Sequence, residues 1–301
     1  MEYGPLGGLF NTGTVPSWVG TYASNTWKSC TDMPTSRYWL TATAVGGQIY
    51  CIGGYNNSNL SVNEVYDVFT NSWKTKTSMP SANYASSHCA SAAIGRFIYI
   101  VGGEKELCRH QCYDTIYDSW STKASMITPR YNLTYQSVKH CIYAIGGGTT
   151  ASARTNKNEC FDTETNTWST KANMLSSREQ LAGAVVNDKI YIVGGTSSGS
   201  SGITRNDCYD PVTNTWTNKK SMTYARLELT ATECNGKLYA IGGYSSNNVI
   251  ECYDPSTDTW TTKTNMTTGR QGLASATVNG IIYCFGGVST YSTNKVDLYM
   301  P

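Results

Sequence analysis

A single pattern recurs along the chain and limits what it can fold into. Six tryptophans are separated by 46, 47, 48, 48 and 44 residues, and a methionine follows each tryptophan by six residues. A glycine pair follows each methionine by 20 residues, or by 23 in the second copy. A period of this length indicates a repeat architecture. The tryptophans are Trp27, Trp73, Trp120, Trp168, Trp216 and Trp260, the methionines are Met33, Met79, Met126, Met174, Met222 and Met266, and the glycine pairs begin at Gly53, Gly102, Gly146, Gly194, Gly242 and Gly286.

Each copy has the pattern of four short β-strands. Apolar runs such as residues 181–186 (LAGAVV) and 236–243 (GKLYAIGG) are typical of buried strands, and Asn187-Asp188 marks a tight turn. In five copies an aromatic residue followed by Asp stands seven residues before the tryptophan, at Tyr66, Tyr113, Phe161, Tyr209 and Tyr253. The residue two before each tryptophan is Asn or Asp, the types that best tolerate a left-handed backbone in a hairpin turn. These turn residues are Asn25, Asn71, Asp118, Asn166, Asn214 and Asp258.

Six such units predict a closed ring. A four-stranded sheet of this size cannot bury both faces alone, but sheets arranged around an axis pack on one another. We therefore expect an all-β fold, a six-bladed β-propeller with four antiparallel strands per blade. The last copy ends one strand short, and the chain begins with an isolated Trp strand at residues 22–27, which is predicted to complete the last blade. The propeller is assigned to residues 21–301, and residues 1–20 are interpreted as a degenerate half-repeat or a linker.

The glycine pairs, the Tyr-Asp pairs and the downstream tryptophans together resemble the kelch repeat. The resemblance covers almost the whole chain. Within this family, the chain resembles the kelch domain of Kelch-like substrate-adaptor proteins, which also carry BTB and BACK regions. It implies a protein-interaction module that binds a peptide or loop of a partner protein at the loop face around the central channel. It also implies a role as the substrate-recognition domain of a ubiquitin-ligase adaptor.

Charge and composition argue against several other classes of protein. A net charge of +2 with 15% charged residues gives little support for nucleic-acid binding, which needs clustered positive charge. No apolar run approaches a membrane span, and the N-terminus lacks the basic start and apolar stretch of a secretory signal. We therefore expect neither nucleic-acid nor membrane partners, and a kelch ring that is itself monomeric.

The eleven cysteines bear on the compartment. Four of them precede the aromatic residue of the Asp-containing pair, and equivalent positions in neighbouring blades are expected to lie too far apart for disulfides. Buried free thiols favour a reducing compartment, so we expect a cytoplasmic protein. Four Asn-x-Ser/Thr matches would suit a secreted protein instead, although such matches arise by chance in a chain rich in these residues. The four cysteines are Cys112, Cys160, Cys208 and Cys252, and the four matches are Asn56, Asn59, Asn132 and Asn265.

An arginine stands four residues after the methionine in five copies, where an inner strand begins. We expect these arginines near the mouth of the channel, as a ring of positive charge suited to an acidic or phosphorylated peptide. The alternative is structural, with each arginine bonded to backbone carbonyls between blades. The second copy has Asn83 at this position, or has lost the position through its three-residue insertion.

The resemblance adds the residue after each arginine and the residue after each glycine pair to the partner-binding face. Carried over residue by residue, the predicted partner-binding set is Arg37, Tyr38, Tyr55, Glu104, Arg130, Tyr131, Arg178, Glu179, Arg226, Tyr244, Arg270 and Gln271.

Other chemistries find less support. The segment Cys108-Arg-His110-Gln-Cys112 offers zinc-ligand types, as do His88-Cys89 and His140-Cys141, but paired CxxC spacing is missing. No catalytic motif is present, so no catalytic residues, metal or cofactor are expected. The alternative to a protein-interaction module is a carbohydrate- or small-molecule-binding propeller, including an enzyme such as a sugar epimerase or oxidase.

Overall fold

A computed structural model describes residues 15–21, 23–80, 88–103, 107–150 and 153–301. These residues form β-strands and connecting loops and contain no helix, and therefore no helix long and apolar enough to cross a bilayer. The strands make six four-stranded antiparallel sheets, with one small two-stranded sheet in addition. The predicted six-bladed β-propeller is confirmed.

Each blade follows the chain from its inner strand outwards. Blade 1 is β2 (Thr41–Val45), β3 (Gln48–Ile52), β4 (Asn63–Asp67) and β5 (Ser72–Lys76). Blade 2 is β6 (Ala90–Ile94), β7 (Phe97–Val101), β8 (His110–Asp114) and β9 (Ser119–Thr122). Blade 3 is β10 (Thr134–Val138), β11 (Cys141–Ile145), β14 (Asn158–Asp162) and β15 (Thr167–Thr170), with the small sheet β12 (Gly148–Thr150) and β13 (Ala153–Arg154) in its loop.

The second half of the ring repeats the arrangement. Blade 4 is β16 (Ala182–Val186), β17 (Lys189–Val193), β18 (Asn206–Asp210) and β19 (Thr215–Lys219). Blade 5 is β20 (Thr230–Cys234), β21 (Lys237–Ile241), β22 (Ile250–Asp254) and β23 (Thr259–Thr262). Blade 6 is β24 (Ala274–Val278), β25 (Ile281–Phe285), β26 (Val296–Met300) and β1 (Thr26–Ser29).

The hydrophobic core is divided among the blade interfaces. Each of six buried clusters joins side chains from two neighbouring blades, so every blade packs both of its faces. The cluster between blades 6 and 1, for example, contains Tyr283 and Leu298 from one side and Ile49 and Tyr66 from the other. This arrangement provides the burial that an isolated four-stranded sheet lacks.

The predicted left-handed turn residues have positive φ angles, between 50° and 63°. Their side chains also connect blades. The Asn214 Oδ1 accepts a 2.7 Å hydrogen bond from the Tyr209 hydroxyl in its own blade and a 2.9 Å bond from the Ala172 amide of the preceding blade. The Trp216 Nε1 donates to the Ala172 carbonyl at 2.7 Å.

We call this arrangement of turn residue, aromatic residue and tryptophan the outer clamp. All six tryptophans donate to a carbonyl of the preceding blade in this way, over 2.7–3.0 Å. The spacing of the repeat is therefore explained by hydrogen bonds that cross from one blade to the next.

The glycine pairs connect the blades at the opposite end of the strands. The amide of Gly195 donates to the Arg226 carbonyl of the next blade at 2.9 Å. A Cβ on Gly194 would lie 2.7 Å from that same carbonyl oxygen, and its φ of +63° also favours glycine. Both glycines are required because a neighbouring backbone approaches closely where the chain turns.

The ring closes through the chain termini, as predicted. β1 pairs antiparallel with β26, and Trp27 stands opposite Tyr299. The Trp27 Nε1 donates to the Thr264 carbonyl at 3.0 Å, and the Asn25 Oδ1 accepts from the Thr264 amide at 2.9 Å. The outer clamp between blades 5 and 6 is thus built from residues far apart in sequence. Of the N-terminal segment before the propeller, Trp18 packs beside blade 1 and donates to the Val68 carbonyl at 2.7 Å.

Deleting residues 1–30 should abolish the single cooperative unfolding transition. The deletion removes β1, leaves the β26 edge unpaired and uncovers Tyr299. Differential scanning calorimetry would check it. As a matched control, residues 25–30 can be returned after Pro301 through Ser-Thr copied from residues 256–257, which recreates the hairpin of blade 5. Cooperative melting should then return. A deletion variant that melts like the full chain would contradict terminal closure.

Gly194→Ala should destabilise the propeller more than Gly95→Ala. Both glycines have φ near +60°, so both alanines incur left-handed strain of about 1–2 kcal/mol. A Cβ on Gly95 meets nothing within 4 Å, whereas one on Gly194 meets the next blade, which adds about 1–3 kcal/mol of overpacking. Urea unfolding of both variants gives the comparison. Equal losses would show that the close approach has no energetic weight.

Candidate functional site

The five arginines lie inside the blades and are not presented at the surface. Each is 0% exposed, and each forms an ion pair with a carboxylate on the third strand of its own blade. The pairs are Arg37–Glu64 (2.8 Å), Arg130–Glu159 (2.7 Å), Arg178–Asp207 (2.6 Å), Arg226–Glu251 (2.8 Å) and Arg270–Asp297 (2.7 Å). The expectation that these side chains project at the channel mouth is corrected, because their charge is neutralised within the fold.

The guanidinium groups also bond to backbone carbonyls. The Arg226 Nη1 donates to the carbonyls of Ala240, Gly242 and Val249 at 2.9–3.2 Å, all within blade 5. Burial lowers the pKa of Arg226, and the Glu251 carboxylate opposes that shift. The arginines therefore join the second and third strands of their own blades, whereas the alternative considered from the sequence placed those bonds between blades.

The acidic partner has a fixed place in the repeat, two residues before the aromatic residue. Blade 2 has Gln111 at that place, and it is also the blade in which the sequence shows no arginine in register. The arginine and the acidic residue are thus absent from the same blade, as expected because an unpaired buried charge would destabilise the fold. Asn83, the residue predicted at the arginine position of this copy, lies outside the described residues.

The loops that carry the other predicted site residues meet on one face of the ring, which we call the mouth face. It is formed by the loops before each inner strand and the loops after each glycine pair. Isolated β-bridges join the residue after the arginine to the residue after the glycine pair. These bridges are Tyr38–Tyr55, Tyr131–Gly148, Glu179–Thr196, Leu227–Tyr244 and Gln271–Val288. The structure therefore places the described members of the predicted set that follow the arginines and the glycine pairs together on one face, while Glu104 lies outside the described residues.

Six further residues surround the opening itself, each two positions after the arginine or its equivalent. Their backbone φ angles lie between 53° and 60°. Each amide donates to the carbonyl of the preceding member at 2.7–3.3 Å, so a closed circle of six backbone hydrogen bonds surrounds the channel. We call this the mouth ring, and its members are Trp39, His88, Asn132, Gln180, Glu228 and Gly272.

Sequence reasoning did not assign the mouth ring to the site. The signal was present, since the members in the arginine-bearing copies stand in one register. The side-chain types differ from blade to blade, however, and five non-glycine residues in left-handed conformations cannot be recognised from composition.

One side of the mouth face is aromatic. The ring of Trp39 lies 3.7 Å from that of His88 and 4.3 Å from that of Tyr38, measured between centroids. Tyr38 contacts Tyr55 at 5.5 Å, and His88 contacts Tyr131 at 6.4 Å. The absence of a side chain on Gly272 makes room for this group, because a Cβ there would lie 2.9 Å from the Trp39 ring.

The other side of the mouth face is polar. The Gln180 amide donates to the Glu228 Oε1 at 2.9 Å, and Arg154 pairs with Glu179 at 3.0 Å. Burial raises the pKa of the Glu228 carboxyl, and the nearby Trp39 and Gln271 side chains act in the opposite direction. The five repeat arginines, which were the main reason for expecting an acidic partner, have their charge paired inside the blades and do not contribute to this face.

Large apolar side chains are exposed around the same face. Tyr244 is 47% exposed and Tyr291 is 82% exposed, in the loops that follow the glycine pairs of blades 5 and 6. Ile127, Leu175 and Tyr224 are also exposed, in the loops before the inner strands. Exposed tyrosines commonly anchor protein interfaces.

The cysteine and histidine candidates have mainly structural surroundings. His110 is 0% exposed, and its ring nitrogens lie near the Ala124 carbonyl and the Tyr135 hydroxyl at 3.2 and 3.0 Å. Burial lowers its pKa to about 4. Cys112 and its equivalents in blades 3, 4 and 5 are 2–4% exposed, as predicted for small buried strand residues.

The fold and the mouth face together define a six-bladed propeller with a loop-lined face around a narrow channel. The KLHDC2/KLHL20/DRC7 Kelch-repeats domain family matches residues 39–228, which is more than half of the chain. The Kelch motif family matches residues 225–267. The chain belongs to the kelch-repeat family. A comparison with curated proteins finds no match.

Arg226→Met should cost about 3–5 kcal/mol of unfolding free energy, because it leaves the Glu251 carboxylate buried without its cation. The double variant Arg226→Met/Glu251→Gln should recover part of that loss, since it approaches the uncharged arrangement of blade 2. Lys237→Met is the control in the same blade, because its pair with Asp254 is exposed and should matter by less than about 1 kcal/mol. Chemical denaturation measures all three. A neutral effect of Arg226→Met would contradict a structural role.

Proposed function

We propose that this chain is a protein-interaction module that binds a peptide or loop of a partner protein at the mouth face. The observation that supports this most strongly is the set of aromatic side chains held on a rigid ring. Tyr38, Trp39 and Tyr55 contact one another at one edge of the opening, while Tyr244 and Tyr291 stand exposed on neighbouring loops. Loops on a rigid scaffold are a common location for binding residues.

The partner segment is proposed to bind through apolar anchors and hydrogen bonds. The earlier preference for an acidic segment rested on five arginines whose guanidinium groups are paired inside the blades. Among the described residues, the accessible groups of the mouth face include aromatic rings, the amides of Asn132, Gln180 and Gln271, and the carboxylate of Glu228. Aromatic rings give large contact areas at low entropic cost, and the amides supply hydrogen bonds.

Two narrower hypotheses accompany this proposal. The chain is proposed to act as the substrate-recognition part of a ubiquitin-ligase adaptor, for which the resemblance to Kelch-like proteins is the support. It is also proposed to work in the cytoplasm. The eleven free cysteines, eight of them buried, support a reducing compartment.

Selection from a random-peptide phage library on the immobilised protein tests the proposed binding face. Peptides that bind the wild type should lose at least about tenfold in affinity for Tyr244→Ala/Tyr291→Ala, because truncating an interface anchor costs more than 1.4 kcal/mol. Tyr117→Ala is the matched control, since Tyr117 is 71% exposed on the opposite face. Fluorescence polarisation with selected peptides gives the affinities.

Two results would contradict the proposal. Peptides that depend on Tyr117, and not on Tyr244 and Tyr291, would place the binding face elsewhere. A library that yields no binder, together with specific retention of sugars on a glycan array, would favour the small-molecule alternative. Charge reversal at Arg178 or Arg226 is unsuitable as a test, because a glutamate there would face a buried carboxylate and affect folding.

A further inference from the structure

Three metal-ligating side chains meet at the hairpin end of blade 3, on the face opposite the mouth face. The donor atoms of His140, Cys141 and Asp162 all lie within 4.8 Å of one another. The His140 Nε2 is 3.7 Å from the Asp162 Oδ2, and both side chains are partly exposed to solvent. Within the part of the chain that the structure describes, this is the group of His, Cys and acidic side chains placed to hold a metal ion.

The other blades show what this position ordinarily does. The aspartate that follows the aromatic residue directs its Oδ2 towards a side chain at the start of the second strand. Blades 1, 2, 4 and 5 place an amide or a permanent cation there. The contacts are Gln48–Asp67 (3.4 Å), Arg96–Asp114 (3.0 Å), Lys189–Asp210 (2.8 Å) and Lys237–Asp254 (3.0 Å). Blade 3 replaces that donor with an imidazole and a thiol.

Hydrogen bonds fix the main chain at His140 and the carboxylate of Asp162. The carbonyl of His140 accepts hydrogen bonds from the Thr163 amide at 3.1 Å and from its hydroxyl at 2.8 Å. The Asp162 Oδ1 accepts from the amides of Glu164 and Thr165 at 2.9 and 3.0 Å, which leaves Oδ2 directed at His140. Cys141 stands directly opposite Asp162 in the strand pairing. Such supporting bonds orient ligands in metal sites.

We propose that His140, Cys141 and Asp162 form a zinc-binding site with its fourth position open to solvent. Nitrogen, sulfur and carboxylate oxygen together are a donor set that Zn²⁺ accepts in tetrahedral geometry. Zinc bonds of about 2.0 Å put tetrahedral N and O ligands about 3.3 Å apart. The observed 3.7 Å separation of the His140 Nε2 and the Asp162 Oδ2 is close to that value, and all three donor atoms lie within 4.8 Å, so binding requires the half-exposed His140 side chain to move towards the thiol and the carboxylate.

Titration of the folded, reduced protein with Co²⁺, followed by competition with Zn²⁺, tests the site. We expect one equivalent of cobalt to give a thiolate-to-metal charge-transfer band and the visible bands of tetrahedral coordination, both removed by zinc. His140→Gln and Cys141→Ser should each weaken zinc binding at least about tenfold, the range in which even supporting residues matter. Zinc should also raise the melting temperature of the wild type but not of these variants.

Two controls separate this site from the other thiols. Asp210→Asn changes the equivalent aspartate of blade 4, and Cys108→Ser removes a half-buried thiol in a different Cys-His segment. Both should bind zinc like the wild type. The proposal is overturned if cobalt gives no thiolate band, if Cys141→Ser keeps wild-type affinity, or if Cys108→Ser abolishes binding. Circular dichroism of each variant checks that folding is unchanged. If a ligand variant does not fold, His140→Ala takes its place in the zinc titration.

Discussion

The structure depends on the contact between neighbouring blades. An isolated four-stranded sheet exposes two broad faces, and here each face is buried against the next blade in one of six clusters. Polar groups at both ends of the strands fix the spacing. At one end the tryptophan Nε1 donates to the preceding blade, and at the other the second glycine donates to the arginine carbonyl of the next blade. The residues that recur in each repeat are therefore those that make the contacts between blades.

The buried arginines show how a repeat position can be mistaken for a binding position. Arg226 occupies the centre of blade 5, where its guanidinium satisfies three carbonyls and the Glu251 carboxylate. Removing one member of such a buried ion pair lowers stability strongly, because the other charge is left buried without a partner. Blade 2, which has no arginine in register, carries the uncharged Gln111 at the position of the acid, as expected if the two charges occur together. The proposed binding site uses residues that differ between blades instead, such as Trp39, Gln180 and Glu228.

The residues of the proposed binding sites and the residues that stabilise the fold lie at different positions. The strands, glycine pairs and outer clamps repeat because every interface needs them, while the loops of the mouth face and the hairpin of blade 3 vary without disturbing the ring. The aromatic group around Trp39 and the donor set around His140 both lie where the repeat pattern is broken. Departures from the repeat, more than the repeat itself, are the places to look for binding.

The sequence by itself determined the number of blades, their strand order, the left-handed turn residues such as Asn214, and the closure by the Trp27 strand. These follow from spacing, because hydrogen bonds and packing recur with the period. The resemblance to kelch repeats grouped Tyr38 and Tyr55 on one face, and the structure joins these two residues by an isolated bridge. The tertiary structure decided that the arginines face inwards and that the mouth ring faces the channel. The direction of a side chain depends on partners from distant strands, such as Glu251 for Arg226, and one residue's spacing carries no information about them.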